Sequence, residues 1–178
     1  MPNDSMVGSR APAGVSKFDC AREGAVAGLY GGLSLILVYL IVDLLRLRPL
    51  GTPAFLSHAM FGQPAGAAGP ADAGLLGLLE HLAVVVRDLT LYTSLHLTAF
   101  VCVGIGAAFL FLRARLPLNL LTGALYGAAV GSAAFYGTLG LVAHGWNAAP
   151  GWRLGLAANG LAGIIMVAHL AGSRSPPN

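Results

Sequence analysis

Charged residues are scarce in this sequence. They make up 10% of its 178 residues, whereas a soluble globular domain carries about 25%. Hydrophobic residues make up 56%, and the mean hydropathy is +0.75. A water-covered surface cannot be built from this composition, and no stretch is long and polar enough to fold alone. The composition therefore excludes an ordinary soluble enzyme and predicts a polytopic helical membrane protein.

Cysteines are few, and the common catalytic motifs are missing. Cys20 lies in the polar N-terminal segment and Cys102 in an apolar one, so neither a disulfide framework nor a CxxC metal site is expected. The chain contains no HExxH, GxSxG or P-loop motif. Its longest basic runs are Arg-Leu-Arg at 46–48 and Arg-Ala-Arg at 113–115, which argues against nucleic acid as a partner. These absences favour a non-catalytic protein.

Long uncharged segments are the main feature that is present. A bilayer core of about 30 Å requires roughly 20 helical residues, and four segments reach that length. The spans are predicted at about 24–45, 86–112, 118–143 and 154–173. A turn signal, Asn-Ala-Ala-Pro-Gly at 147–151, separates the last two spans. The predicted fold is all-α, an integral membrane four-helix bundle formed by residues 24–173.

Polar or mixed segments flank and connect the spans. Residues 1–23 are predicted to be a disordered polar tail. The first span is predicted to be retained rather than removed as a signal peptide, because no cleavage site follows it. Residues 174–178 form a short C-terminal tail. Within the long loop 46–85, the apolar piece at 75–86 is too short to span a membrane alone. It is expected to form either a short interfacial helix between spans 1 and 2 or an N-terminal extension of the second span.

The distribution of basic residues predicts the orientation. Four spans place both termini on one side, which carries six Lys and Arg residues against four on the other side. The six are Arg10, Lys17, Arg22, Arg113, Arg115 and Arg174. The four are Arg46, Arg48, Arg87 and Arg153. This bias predicts a multi-pass protein of the cell membrane with both termini in the cytoplasm.

Glycine is abundant, and six of the glycines form two rows with regular spacing. Gly24, Gly28 and Gly32 follow one another every four residues on the first span. Gly123, Gly127 and Gly131 do the same on the third. Helices in lipid associate through close packing of small residues, so both rows are predicted to face protein rather than lipid. The favoured interpretation is contact within the bundle, and the alternative is a contact with a second protomer or another subunit.

Polar residues at membrane depth are functional candidates, since such residues are costly there. Helix alternation brings the end of span 1, the start of span 2, the end of span 3 and the start of span 4 to one side. The candidate cluster on that side consists of Asp43, Asp88, Tyr92, His96, Tyr136 and Asn159. His96 is expected to point inward and to form a hydrogen bond with Asn159, Tyr136 or Tyr39. The alternative interpretation is that these residues serve only packing and the membrane interface.

A metal or haem site is a weaker expectation. The candidate metal ligands are His58, His81, His96 and His144. His96 and His169 lie roughly 10 Å or more apart along the membrane normal, which disfavours a haem bound between them. His169 is expected to reach the opposite interface by itself.

Three segments resemble a loosely defined, uncharacterised group of bacterial four-span membrane proteins. They are DLLRLRPLGTPAFL at 43–56, LYTSLHLTAF at 91–100 and AANGLAGIIM at 157–166. The matched positions within about 28–170 are Asp43, Arg48, Pro49, Thr52, Pro53, Tyr92, Thr93, His96 and Asn159. The resemblance implies a bacterial inner-membrane location and assigns no activity.

The first functional hypothesis is a non-catalytic accessory or structural subunit of a larger membrane complex, or a small homo-oligomer. Its expected partners are the lipid bilayer and either other membrane subunits or a second copy. An alternative is a membrane protein that binds haem, quinone or a metal through the His and Asp residues on the non-cytoplasmic side. A second alternative is a small oligomeric channel or transporter. No cofactor is the favoured expectation.

Overall fold

The computed structural model describes residues 16–47, 51–53, 55–56, 74–142 and 151–173. Four helices account for nearly all of these residues. Helix α1 is Lys17–Leu45, and α2 is Gly74–Ala108, continued by a π-helical turn at Phe109–Arg113. Helix α3 comprises three consecutive segments, which are α-helical Leu120–Tyr126, π-helical Gly127–Gly131 and α-helical Ser132–Val142. Helix α4 is Trp152–Gly172. Each of the four is long and apolar enough to cross a membrane. The predicted all-α class with four apolar helices is confirmed.

Two helix boundaries differ from the prediction. Helix α1 begins at Lys17, inside the segment expected to be a disordered tail, because Ser16 caps it by accepting a hydrogen bond from the Asp19 amide at 3.0 Å. Residues 75–86 belong to α2, so the apolar piece extends the second span rather than lying apart as an interfacial helix. Residues 1–15 and 174–178, and the turn at 147–150, lie outside the described residues.

Helix α1 lies between α2 and α4, and α3 packs along α4. The core between them is made of large apolar side chains and alanines, including Leu35, Phe100, Phe111, Met166 and Leu170. Helix α3 also reaches α2, because the Tyr126 hydroxyl donates to the Val103 carbonyl at 2.7 Å. The exposed side chains on the outside of α1 and α3 are largely apolar, as lipid contact requires.

Glycine brings α1 and α2 into backbone contact. A Cβ atom placed on Gly24 would lie 2.6 Å from Ile105 Cα, and one placed on Gly28 would overlap the Phe100 carbonyl. Across the same seam, Gly104 lies against Gly24 and Gly28. A side chain at any of these positions would force the two helices apart.

A second glycine seam joins α3 and α4. A Cβ atom on Gly163 would lie 2.7 Å from Gly127 Cα, and one on Gly123 would lie 2.8 Å from the Gly163 carbonyl oxygen. One turn further, Gly131 lies against the side chain of Asn159. Both glycine rows therefore lie against other helices of the same chain, which is the arrangement favoured by the within-bundle interpretation.

Replacing Gly127 by Leu should destabilise the bundle, because the added side chain has no space against α4. We expect a loss of at least about 1–3 kcal/mol in the free energy of unfolding, typical of overpacking. Denaturant titration of the detergent-solubilised protein measures it. Gly137→Leu on the same helix is the matched control, since among the described residues nothing beyond its own stretch of helix lies within 4 Å of its Cβ position. Equal losses for the two variants would contradict the seam.

Candidate functional site: a polar cluster at one end of the bundle

The Asp43 carboxylate anchors the chain that follows α1. Its side chain is buried and accepts two hydrogen bonds from Thr52, one from the backbone amide at 2.6 Å and one from the hydroxyl at 2.7 Å. Residues 51–53 are helical, so Asp43 supplies an acceptor to the first turn of a helical segment. Asp43 is thus occupied by a local structural contact.

The Asp88 carboxylate is paired with its neighbour in sequence. Arg87 approaches it with Nε at 2.9 Å and with a second guanidinium nitrogen at 2.8 Å. The Arg87 side chain is 62% exposed, whereas that of Asp88 is 11% exposed. The pair therefore joins a buried carboxylate to a cation at the surface of the bundle. Although Asp88 shares a helix face with Tyr92 and His96, its described contacts are with Arg87.

Aromatic rings surround His96 on α2. The Tyr92 and His96 ring centroids are 5.8 Å apart, and those of His96 and Phe100 are 4.8 Å apart, as expected for residues spaced by four on a helix. On the facing helix α1, the backbone of Gly32 lies near the imidazole. The predicted common face of Tyr92 and His96 is therefore directed toward α1.

Tyr39 of α1 lies in the same region as Tyr92 of α2 and Tyr136 of α3. It is 5% exposed and lies within electrostatic range of both. The Tyr136 hydroxyl in turn lies against Gly155 of α4. Three tyrosines from three helices thus lie in the half of the bundle where the polar cluster was expected.

Asn159 is the polar residue most deeply buried on α4, at 2% exposure. Its side-chain amide donates to the Gly155 carbonyl at 2.9 Å, while its Oδ1 lies against Gly131 and has no hydrogen-bond partner among the described residues. The hydroxyl of Ser132, next to Gly131, is also buried and lacks a partner within the same described residues. These groups lie at the π-helical segment Gly127–Gly131, and such segments are frequent at functional sites.

The hydrogen bond expected for His96 is not found among the described residues. His96 points inward as predicted, at 9% exposure, but within the described part of the chain its Nε2 has no hydrogen-bond partner. The Asn159 amide donates within its own helix instead. On α1 the neighbour of the imidazole is the backbone of Gly32, which is open to a close approach because glycine has no side chain.

The candidate metal ligands are not brought together in the described part of the chain. His58 and His144 lie outside the described residues, and His81 lies on α2 with its side chain outside them. Among the residues that the structure does describe, no group of three His, Cys, Asp or Glu residues could hold a metal ion.

A charged contact at the opposite end of the bundle was missed from the sequence. His169 Nε2 lies 3.3 Å from Glu23 Oε2, at ion-pair distance but without hydrogen-bond geometry, and Arg22 pairs with the same carboxylate at 3.0 Å. The Tyr30 ring also contacts His169, with centroids 5.3 Å apart. Helix alternation could have indicated this contact, because the start of span 1 and the end of span 4 lie on one side.

The cluster as a whole offers neutral hydrogen-bonding groups rather than free charge. Both of its carboxylates have local partners, and its deepest members are an imidazole, an amide and hydroxyls. Such a site can hold a neutral polar group inside the membrane but contains no described constellation for covalent catalysis. Comparisons with protein families, with curated proteins and with solved structures give no match to this chain.

Replacing Thr52 by Val tests whether Asp43 anchors the loop. The variant keeps the shape of the side chain but removes the hydroxyl that donates to a buried carboxylate, so we expect a loss of about 1–2 kcal/mol in stability. Thr90→Val is the matched control, because the Thr90 hydroxyl donates only to Val86 of its own helix and is exposed. Thermal unfolding in detergent measures both. Identical midpoints for the two variants would contradict the anchoring role.

Proposed function

We propose that this chain is a non-catalytic integral membrane protein that works as a subunit of a larger membrane assembly or as a small homo-oligomer. The proposal places it in the bacterial inner membrane with both termini in the cytoplasm, in line with the distribution of basic residues and with the resemblance to bacterial four-span proteins. The main support for a role in an assembly is the N-terminal part of α2, because this apolar helix is longer than the bundle requires.

The length of α2 exceeds what the bilayer requires. Together with its π-helical turn it runs over Gly74–Arg113, 40 residues, which is about 60 Å of helix. The hydrocarbon core measures about 30 Å. In the antiparallel seam, Gly28 of α1 lies beside Phe100 of α2, and continuing this register puts the end of α1 near Val84. The residues that precede Val84 therefore extend past α1.

The extension carries its apolar side chains in a pattern typical of helix pairing. Its exposed large apolar residues are Leu75 at 73%, Leu76 at 77%, Leu79 at 52%, Leu82 at 55%, Val85 at 38% and Val86 at 55%. Four of them, at 75, 79, 82 and 86, are spaced by four, three and four residues, which is the a/d spacing of a two-stranded coiled coil. Where the helix extends beyond the hydrocarbon core, an exposed apolar stripe of this kind is stabilised when another helix covers it. This supports a partner helix, from another subunit or from a second copy.

A second candidate function, binding of a quinone, haem or metal inside the bundle, is favoured by one observation. His96 Nε2 is buried and lacks a hydrogen-bond partner in the described part of the chain. The two proposals are independent, because the α2 extension and His96 involve different surfaces.

Cross-linking from the α2 extension tests the assembly proposal. We expect Leu79→Cys, combined with Cys102→Ser, to give one discrete cross-linked species in native membranes, either a dimer or an adduct with one other subunit. Leu33→Cys in the same background is the matched control, since Leu33 and Leu79 are both 52% exposed but Leu33 lies on α1 within the bundle. Gel mobility and mass spectrometry identify the product. Cross-linking at Leu79 no stronger than at Leu33 would overturn the proposal.

A further inference from the structure

Three basic residues lie where α1 begins and α2 ends. Lys17 is the first residue of α1, Arg113 is the last residue of the π-helical turn of α2, and Arg115 follows in the connection to α3. All three are exposed. The ion pairs described at this end of the bundle join Arg22 and His169 to Glu23 and involve none of the three. Their charges are therefore available to a bound anion.

The described charges are distributed unequally between the two ends of the bundle. The end that holds the three residues has four basic and two acidic residues, a net charge of +2, whereas the other end has three of each. The first set is Lys17, Arg22, Arg113, Arg115, Asp19 and Glu23, and the second is Arg46, Arg87, Arg153, Asp43, Glu80 and Asp88. The excess arises because only Arg22 of the four bases is paired with an acidic residue.

The glycine seam between α1 and α2 brings the three bases to one level. A Cβ atom on Gly24 would lie 2.6 Å from Ile105 Cα and 2.9 Å from Ala108 Cβ, and the two helices are antiparallel. Seven residues before Gly24, this register reaches Lys17 on α1 and the neighbourhood of Arg113 on α2. The bases thus form one basic patch, which consists of Lys17, Arg113 and Arg115.

Exposed apolar side chains adjoin the basic patch. Phe18 follows Lys17 and is 76% exposed, and Leu116 follows Arg115 and is 41% exposed. Leu110, which is 39% exposed, precedes Arg113 by three residues on the membrane-spanning part of α2. A soluble anion would gain nothing from these apolar side chains. A phospholipid offers a phosphate for the bases and acyl chains for the apolar residues, and it is present wherever this chain is inserted.

We propose that the basic patch binds the headgroup of an anionic phospholipid, whose acyl chains lie along the apolar outer surface of α1 and α2. An anionic lipid fits better than a zwitterionic one, because the headgroup of the latter carries a cation that the net positive charge of this end repels. The binding surface is separate from the α2 extension, which lies at the other end of the helix. This inference goes beyond the proposed assembly role and does not depend on it.

The first test distinguishes a local site from general attraction to positive charge. Tail-labelled phosphatidylglycerol and phosphatidylcholine with identical acyl chains are titrated with the detergent-solubilised full chain, and binding is followed by fluorescence anisotropy. We expect Arg113→Gln/Arg115→Gln to bind phosphatidylglycerol about 25-fold more weakly, roughly fivefold for each basic residue, with phosphatidylcholine unaffected. Arg46→Gln/Arg153→Gln is the matched control, because it removes two exposed bases from the opposite end. Equal losses for the two double variants, or no preference of the wild type for phosphatidylglycerol, would overturn the proposal.

The second test removes one charge without disturbing the fold. Arg115 has a φ of 58°, a backbone conformation that suits glycine better than arginine. Arg115→Gly should therefore keep or raise thermal stability while weakening phosphatidylglycerol binding about fivefold. Leu47→Gly is the matched control, since Leu47 has a φ of 55° at the opposite end and carries no charge. Wild-type affinity in Arg115→Gly would contradict the proposal, and this variant decides if the double variant does not fold.

A competition experiment separates the lipid from a free phosphate. Inorganic phosphate is added to the wild-type complex with labelled phosphatidylglycerol, and sodium chloride of equal ionic strength is the control for screening. We expect both salts to release the same small fraction of lipid, because phosphate alone has no acyl chains to contact the apolar residues. Release by phosphate well beyond that caused by sodium chloride would identify a site for a free anion, and the lipid assignment would be wrong.

Discussion

Contact between helix backbones at glycine is the constraint on which the rest of this structure depends. Inside a bilayer, apolar side chains gain nothing by leaving lipid, so helices hold together through close packing and a few hydrogen bonds. Gly24, Gly28 and Gly104 provide that contact between α1 and α2, and Gly127 and Gly163 provide it between α3 and α4. Because α1 also packs on α4, the two glycine seams together position all four helices.

The same glycines create the environment of the polar cluster. A residue without a side chain lets a polar neighbour approach the backbone, and this occurs where His96 meets Gly32, where Asn159 meets Gly131 and where Tyr136 meets Gly155. The carboxylates take a different role near the helix ends, where Asp43 holds the following turn. The deep half of the cluster is consequently neutral, which suits hydrogen bonding to an uncharged group better than transport of an ion.

Much of the fold could be predicted from the sequence, because uncharged segments of membrane length have few alternative structures. The common half of the bundle for Tyr92, His96, Tyr136 and Asn159 followed from helix alternation alone. The contacts that each of these residues makes could not be predicted from the sequence. These helices are apolar on every side, so no periodic pattern indicates which face turns inward. The Glu23–His169 pair and the interaction of His96 with the Gly32 backbone depend on helix rotation, which only the three-dimensional structure supplies.

The central claim, that the helices meet backbone to backbone, can be tested most directly by magic-angle-spinning NMR of the protein in lipid bilayers. With ¹³C placed only at glycine Cα atoms, every correlation between helices reports a glycine–glycine contact. The structure predicts cross-peaks between Gly28 and Gly104 and between Gly127 and Gly163. They are assigned in separate samples that also carry ¹³C at the carbonyl of the residue type preceding each glycine, so that no seam residue is replaced. Spectra that contain only correlations between glycines of the same helix would contradict the account.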